Sequence, residues 1–557
     1  MKGLAIVAVL AALPATAAPA TSSPAFDDDP AVRAMHDELA RAMSQLALPR
    51  APKPYYLAYT LWDVASTRVD ASFGATVSAS TVPLRQIAID LRVGDYAFDN
   101  SNTATGRRLE ASLPLDDDYD VMRRELWLAT DGAYKSSIES FDRKQAVARA
   151  ETKDADDVGS FSTEPAARTV DATAVRPDLA AAAADQATLE ALAQKLSAVF
   201  RGNHDAFTAE VSISASRGRD LFVSSEGAAG AQGIAVVRVR IDATSQASDG
   251  MPLHAGTSIW APTVAQLPPD AELVAAAERV SRELSDLRKA PVVDDYAGPI
   301  LVRGVAADQI LRGLLVEELG GTPPPKSDRP GSRNSDGALV SKLTKRILPL
   351  GVSIVDDPAP RKVGAAAVLP SARFDDEGVA PQKVSIVENG TLKRFLMSRT
   401  PRKGFEHSNG HGYSAGGAPV RAHAGNLYVS STRAVGDAEL KRRAIAAAND
   451  EGNPYLLVID RFAERGSEPE VLEKLYVDGH EELVRGGAIG SAITLRSLRD
   501  ILAVGATPTL LEYDDSGVTG TASIAAPALL FRDGDIKKPT GGQRPPPIAS
   551  RPDLPAN

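Results

Sequence analysis

The residues of this chain whose types and spacing invite a chemical reading are histidines and carboxylates, most of them in its second half. His407, His411 and His423 fall in a Gly/Ser/Asn-rich stretch. The four-residue step from His407 to His411 is that of two imidazoles binding a metal ion from one helix face. Ser408-Asn409-Gly410 between them is turn sequence, however. The stretch therefore reads as a loop shaping a pocket, with His407, His411 and His423 as fallback metal ligands. Asp375-Asp376-Glu377 suggests calcium binding or acid–base work, yet it lacks the D-x-D-x-D-G spacing of a calcium loop and reads as a solvated acidic turn. Gly412-Tyr413-Ser414-Ala415-Gly416 is a formal G-x-S-x-G. A nucleophile elbow needs a strand before the serine and a helix after it, and here loop sequence stands on both sides. His480-Glu481-Glu482-Leu483 opens like H-E-x-x-H without the second histidine, and Asp478-Gly479 before it marks a hairpin turn. No Gly-rich loop ending in Lys-Ser/Thr is present, so nucleotide binding has no support.

The elements that must position these residues are legible in outline. The chain has 557 residues, 43% of them hydrophobic, enough for two or three domains with sizeable cores. Its net charge of -10 and pI near 5.4 disfavour a nucleic-acid partner. With no cysteine there is no disulfide, no thiolate metal ligand and no lipobox. Lys2, the apolar run from Leu4 to Leu13 and the small residues up to Ala20 form a signal peptide over residues 1–20, with cleavage near Ala17 or Ala20. The run is too short to span a bilayer, so an exported, periplasmic or secreted protein is expected.

A linker over 21–30 leads to an α+β domain over 31–290. Its expected elements are a helix from Val32 to Leu46, strands at Tyr55–Trp62, Ser72–Ser80 and Gln86–Val93, and helices at Leu179–Phe200 and Ala271–Lys289. Between those helices lie three strand candidates, EVSISA, DLFVSS and IAVVRVRI. The turn Ser224-Ser225-Glu226-Gly227 reads as structural, with Gly227 relieving the bend and Glu226 solvated. A Pro/Asp/Gly linker over 291–299 opens a second domain over 300–536, with a helix from Ala306 to Leu319 and a hairpin turned at Asn389-Gly390. Residues 537–557 are a Pro-rich disordered tail.

The run from Phe374-Asp375-Asp376-Glu377-Gly378 through Val384-Ser385-Ile386-Val387-Glu388-Asn389-Gly390 to Gly425-Asn426-Leu427 resembles the C-terminal domain of the TldD/PmbA family. That family contains zinc metallopeptidases and their non-catalytic partners. Leu221 to Gly227 and Ala526-Pro527-Ala528-Leu529-Leu530-Phe531 are similar to further family segments. The resemblance implies a two-domain α+β fold with mixed and antiparallel sheets and packed helices. It also implies a homodimer, or a heterodimer with a catalytic TldD-like paralogue, around a cavity for a peptide. Catalytic members carry H-E-x-x-x-H on the first helix of this domain and a late cysteine, the histidines and thiolate binding zinc and the glutamate acting as base. Here Arg312, Gly313 and Glu317 stand at the motif positions, and there is no cysteine. The expectation is therefore a zinc-free member with no cofactor, no nucleic-acid partner and no membrane span, either partner to a metallopeptidase paralogue or a peptide-binding pseudoenzyme. Arg312, Glu317, Asp375, Asp376, Glu377, Ser408, Asn409, Gly410 and His411 are its candidate binding residues. A peptidase with an altered site and a scaffold protein are the alternatives.

Overall fold

The computed structural model describes residues 24–104, 106–150, 158–171, 173–326, 336–414, 417–463, 468–514 and 521–539. The signal-peptide reading of 1–20 and nearly all of the 537–557 tail lie outside them. Aromatic and aliphatic residues from Tyr55 to Trp62 favour a strand covered on both faces, and they start β1 (Pro54–Ser72). Phe73 and Gly74, with φ of +46° and +82°, turn the chain tightly into β2 (Ala75–Val93), pairing Ser72 with Ala75. The two expected strands after Trp62 are thus one long strand. The same merging occurs further on. EVSISA and DLFVSS are a single strand, β5 (Thr208–Ser224), paired throughout with β6 (Ala229–Gln246).

With β3 (Leu109–Ser112) and β4 (Arg168–Val170), these strands form a sheet in the order β3-β2-β1-β5-β6-β4. The unanticipated β7 (Pro252–Ala261) also pairs with β6. Helix α1 (Pro30–Gln45), capped by Asp29 on the Ala31 amide at 2.9 Å, packs with α2 (Tyr119–Ala150) against Leu57, Tyr59 and Leu61. Helices α3 (Leu179–Ala198) and α4 (Asp270–Lys289) cover Val69 and Ala71 further along β1. All five of these β1 residues are odd-numbered, so the four helices share one face of the sheet. The even-numbered Tyr56 and Ala58 face the second domain, packing with Phe222 against Phe374.

The second domain begins earlier than expected. Tyr296 to Pro299 join β8 (Tyr296–Val302), because they pair with the end of the last strand. Its other strands include β9 (Val352–Asp356), β10 (Val384–Glu388), β11 (Thr391–Leu392), β12 (Gly412–Tyr413), β13 (Arg421–Ala422), β14 (Asn426–Ser431), β15 (Tyr455–Phe462), β16 (Pro469–Tyr476), β17 (Glu481–Val484), β18 (Ala503–Asp514) and β19 (Thr521–Lys537). The mixed sheet runs β11-β10-β9-β14-β19-β8-β15-β16-β17, with β18 paired to β19, while β12 and β13 form a separate ribbon. The β14/β19 and β8/β15 pairs are parallel. Asn389 and Gly390, with φ of +47° and +80°, make the expected hairpin. Its second strand is short, stopping after Leu392. Helix α6 (Asp437–Asp450) packs beneath the sheet.

The helix after β8 is not uniform. It is α-helical as α5 (Val305–Leu311), becomes a π-turn over Arg312–Val316 and tightens to a 3₁₀ turn over Glu317–Leu319. Residues five apart lie 140° apart around an α-helix. A π-turn closes i→i+5 bonds and brings them back to one side. The spacing from Arg312 to Glu317 is such a step, so the turn is what lets both face one cavity.

Candidate functional site: a cavity between the two sheets

Between the sheets lies a cavity of about 1400 Å³. Gly256 to Pro262 line it consecutively from β7 and its end, and Leu510 to Tyr513 from β18. Alternate side chains of a strand point to opposite faces, so an unbroken run of lining residues means that the strand presents its edge. Both edges are open. Among the described residues β7 pairs with β6 alone, and β18 with β19 apart from a bridge at Gly505. The third wall is the π-turned helix, which contributes Arg312, Gly313, Leu314 and Glu317.

The Arg312 guanidinium carbon lies 4.0 Å from the centroid of the Tyr513 ring, a cation–π contact that sets it against β18. Gly313 and Glu317 are exposed to the cavity. His423 joins the lining from the loop after β13, the one histidine of the predicted three to do so. Sequence reasoning missed His254, Trp260 and Glu512. His254 bridges the domains, Nε2 standing 2.9 Å from Asp242 and Nδ1 2.6 Å from Glu470. Those two carboxylates push its pKa up to about 9, which makes it a cation at neutrality. Arg461 extends the clasp to Glu470 at 2.9 Å and to Glu283.

The remaining predicted residues gather elsewhere, in a buried ionic cluster where Phe374 meets the first sheet. Asp375, Asp376 and Glu377 are at most 5% exposed, which corrects the expectation of a solvated acidic turn. Their oxygens are taken up by arginines and by backbone amides. Asp376 meets Arg108 at 3.1 Å, and Glu377 meets Arg92 at 3.3 Å and the Arg399 amide at 2.5 Å. Asp375 accepts the amides of Glu377, Val379 and Gly412 at 2.8–3.0 Å. Burial, and then the neighbouring Glu377, hold its carboxyl well above the usual carboxylate range.

Glu226 is likewise not solvated. It receives both arms of Arg399 at 2.6 and 2.9 Å and the Tyr96 hydroxyl at 2.7 Å. Ser414 bonds Asp376 at 3.1 Å and Arg108, so the G-x-S-x-G serine is built into this cluster. Its two following residues lie outside the described ones.

Ser408, Asn409 and Gly410 form a clip. The Asn409 side chain accepts the Met397 amide at 2.7 Å and donates to the Phe395 carbonyl at 3.0 Å. The structure does not bring the three histidines into one constellation. His407 is exposed near Glu164, His411 is 1% exposed with Nε2 3.3 Å from Asp356, and His423 lines the cavity. Among the described residues no group of three or more His, Asp or Glu is arranged to hold a metal ion.

Fold and cavity together define a two-sheet α+β protein with a ligand-sized chamber walled by a broken helix. Residues 332–452 match the family model of the PmbA/TldA metallopeptidase C-terminal domain. A protein named metalloprotease from Archaeoglobus fulgidus is 32% identical over 142 residues, a match spanning 25% of this chain and 31% of that relative's length. Solved structures share the fold at low identity. TldE from Thermococcus kodakarensis aligns with a TM-score of 0.58 at 12% identity, covering 90% of this chain and all of that one. A putative modulator of DNA gyrase from Bacteroides thetaiotaomicron gives 0.59 at 13% identity, covering 91% and 98%. One from Thermotoga maritima gives 0.56 at 16% identity, covering 86% and 96%. Residues 332–452 are thus similar to the C-terminal domain of the TldD/PmbA proteins, a metallopeptidase-related family.

Proposed function

We propose that this chain holds an extended peptide in the cavity between its sheets without the zinc chemistry of the family's catalytic members. It serves either as the non-catalytic partner of a zinc-bearing paralogue or as a peptide-binding protein in its own right. The observation that carries this reading is the cavity wall itself. The π-turned helix presents Arg312, Gly313 and Glu317 to the chamber beside two open strand edges. As a set those three residues do not fit a zinc ion, because only the Glu317 carboxylate can donate to one. A guanidinium has no lone pair to offer and repels a cation, glycine supplies no base, and the chain has no cysteine. The open edges favour a strand-like ligand, because main-chain hydrogen bonds add an extended segment to a sheet whatever its sequence. The signal-like sequence of residues 1–20 supports an exported protein, whose partner would also be found outside the cytoplasm.

Elemental analysis of the protein purified without chelator or metal-affinity tag tests the metal half of the proposal. We expect no bound zinc in the wild type, and stoichiometric zinc would overturn it. Fluorescence polarisation with labelled, unstructured pentapeptides tests the other half, saturable binding being expected.

A further inference from the structure

Glu512 stands on the open edge of β18, lines the cavity and is only 9% exposed. One of its carboxyl oxygens accepts the Leu369 amide at 2.9 Å. The other, Oε2, is buried and has no partner, and no ion pair among the described residues reaches this side chain. Such groups are few in folded proteins, and each calls for an explanation. The Tyr428 hydroxyl from β14 is a second buried oxygen without a partner, close enough to feel the Glu512 charge. Arg361 is the cation nearest this ring, stacked 4.7 Å from its centroid, but it is already held by Asp357. The charged groups around Tyr428 are thus Arg361, Asp357, Asp356 and Glu512 itself. Burial without a counter-charge pushes the Glu512 carboxyl up to about 7. Near neutrality it is therefore poised to ionise when a cation arrives.

We propose that Glu512 is the subsite receiving a primary ammonium group of the bound peptide, either its amino terminus or a lysine side chain. The inference rests on the peptide reading above. An ammonium brings three N–H donors to a wall that offers an unpaired carboxyl oxygen beside the backbone edge of Leu510 to Glu512. Below the carboxyl's pKa, binding displaces its proton to solvent and leaves a carboxylate–ammonium pair. Above it no proton is released. Binding of the amine therefore tightens as pH rises through about 7.

The test uses the full chain and three probes: the peptide Ala-Val-Tyr-Val-Ala, its Nα-acetylated form, and an Nα-acetylated form with Lys in place of Tyr. Acetylation is expected to weaken binding to the wild type by about tenfold or more, and to weaken binding to Glu512→Gln by less than about twofold. Recovery of affinity by the acetylated lysine peptide assigns the ammonium to a side chain, and failure to recover assigns it to the amino terminus. Equal binding of all three to the wild type overturns the inference and leaves the peptide reading standing. No binding of any of them overturns both. Should Glu512→Gln not fold, the wild type alone decides. The acetylation penalty must grow between about pH 5.5 and 7.5, and a constant penalty sinks the idea.

Discussion

His254 is a charge shared between two domains, and its titration should be felt in the stability of both. Its folded pKa, near 9, lies above the ordinary 6.5, so protonation favours the folded state. The contribution is complete below pH 6.5 and is lost as pH rises through 9. A third of the side chain is exposed, so we expect solvent to hold it to on the order of 1 kcal/mol. Chemical denaturation of the wild type and His254→Gln across that range should show the difference shrinking with rising pH. A constant difference would remove the ionic role. No local signal marked this histidine in the sequence, because its two carboxylates come from β6 and from β16, more than two hundred residues apart in the second case. Asp375 to Glu377 misled for the same reason. Three adjacent acids are solvated unless distant arginines arrive to bury them, and Arg92 and Arg108 arrive from the other domain.

At the scale of elements, reading succeeded where the signal was local. Asn389-Gly390 turned a hairpin, and the apolar periodicity of α1, α3 and α4 placed three helices within a few residues. Helix α2 was missed. Its core contacts at Met122, Leu126, Ala133 and Tyr134 are thinly spread, while Trp127 and Leu128 point to solvent and blur the stripe. Its one clear start signal is Asp118, which caps the amides of Asp120 and Val121 at 3.1 Å. The π-turn was invisible in the sequence, which read as one plain helix from Ala306 to Leu319. Gly313 within it has no atom within 4 Å of where a Cβ would stand. Gly313→Ala should therefore raise stability by about 0.5–1 kcal/mol, read from the shift in melting temperature. A loss would mean that the π-turn needs glycine. Gly378 is the opposite case, with φ of +78° and a Cβ position 2.4 Å from the Phe222 ring. Gly378→Ala should cost roughly 1–3 kcal/mol, because the acidic segment must then move off the first sheet. Unchanged urea stability would contradict that packing.

The whole molecule is held together by buried charge as much as by apolar contact. Arg399 is 2% exposed and ties the second domain to Glu226, to the Ser162 carbonyl and to the Phe161 ring of the first. Breaking one side of a buried pair strands the other, at a cost of about 3–5 kcal/mol. In calorimetry we expect the wild type to unfold in one transition and Arg399→Ala to separate into two, the lower shifted down. A single, equally displaced transition would show that the domains do not depend on this contact for their coupling. Length and composition implied two or three domains with sizeable cores, whereas this network joins side chains too distant in sequence for any window to connect.

The two open strand edges have a further consequence. An unpaired edge on the outside of a protein is where neighbouring copies add strands and precipitate. Here β7 and β18 turn theirs toward a shared chamber, beyond the reach of a neighbour that keeps its own strands paired. What can reach them is a segment already free of its own fold. On the peptide reading proposed above, the chamber would sort its visitors by looseness before it sorted them by sequence, and a tightly folded protein carrying the same residues would pass it by.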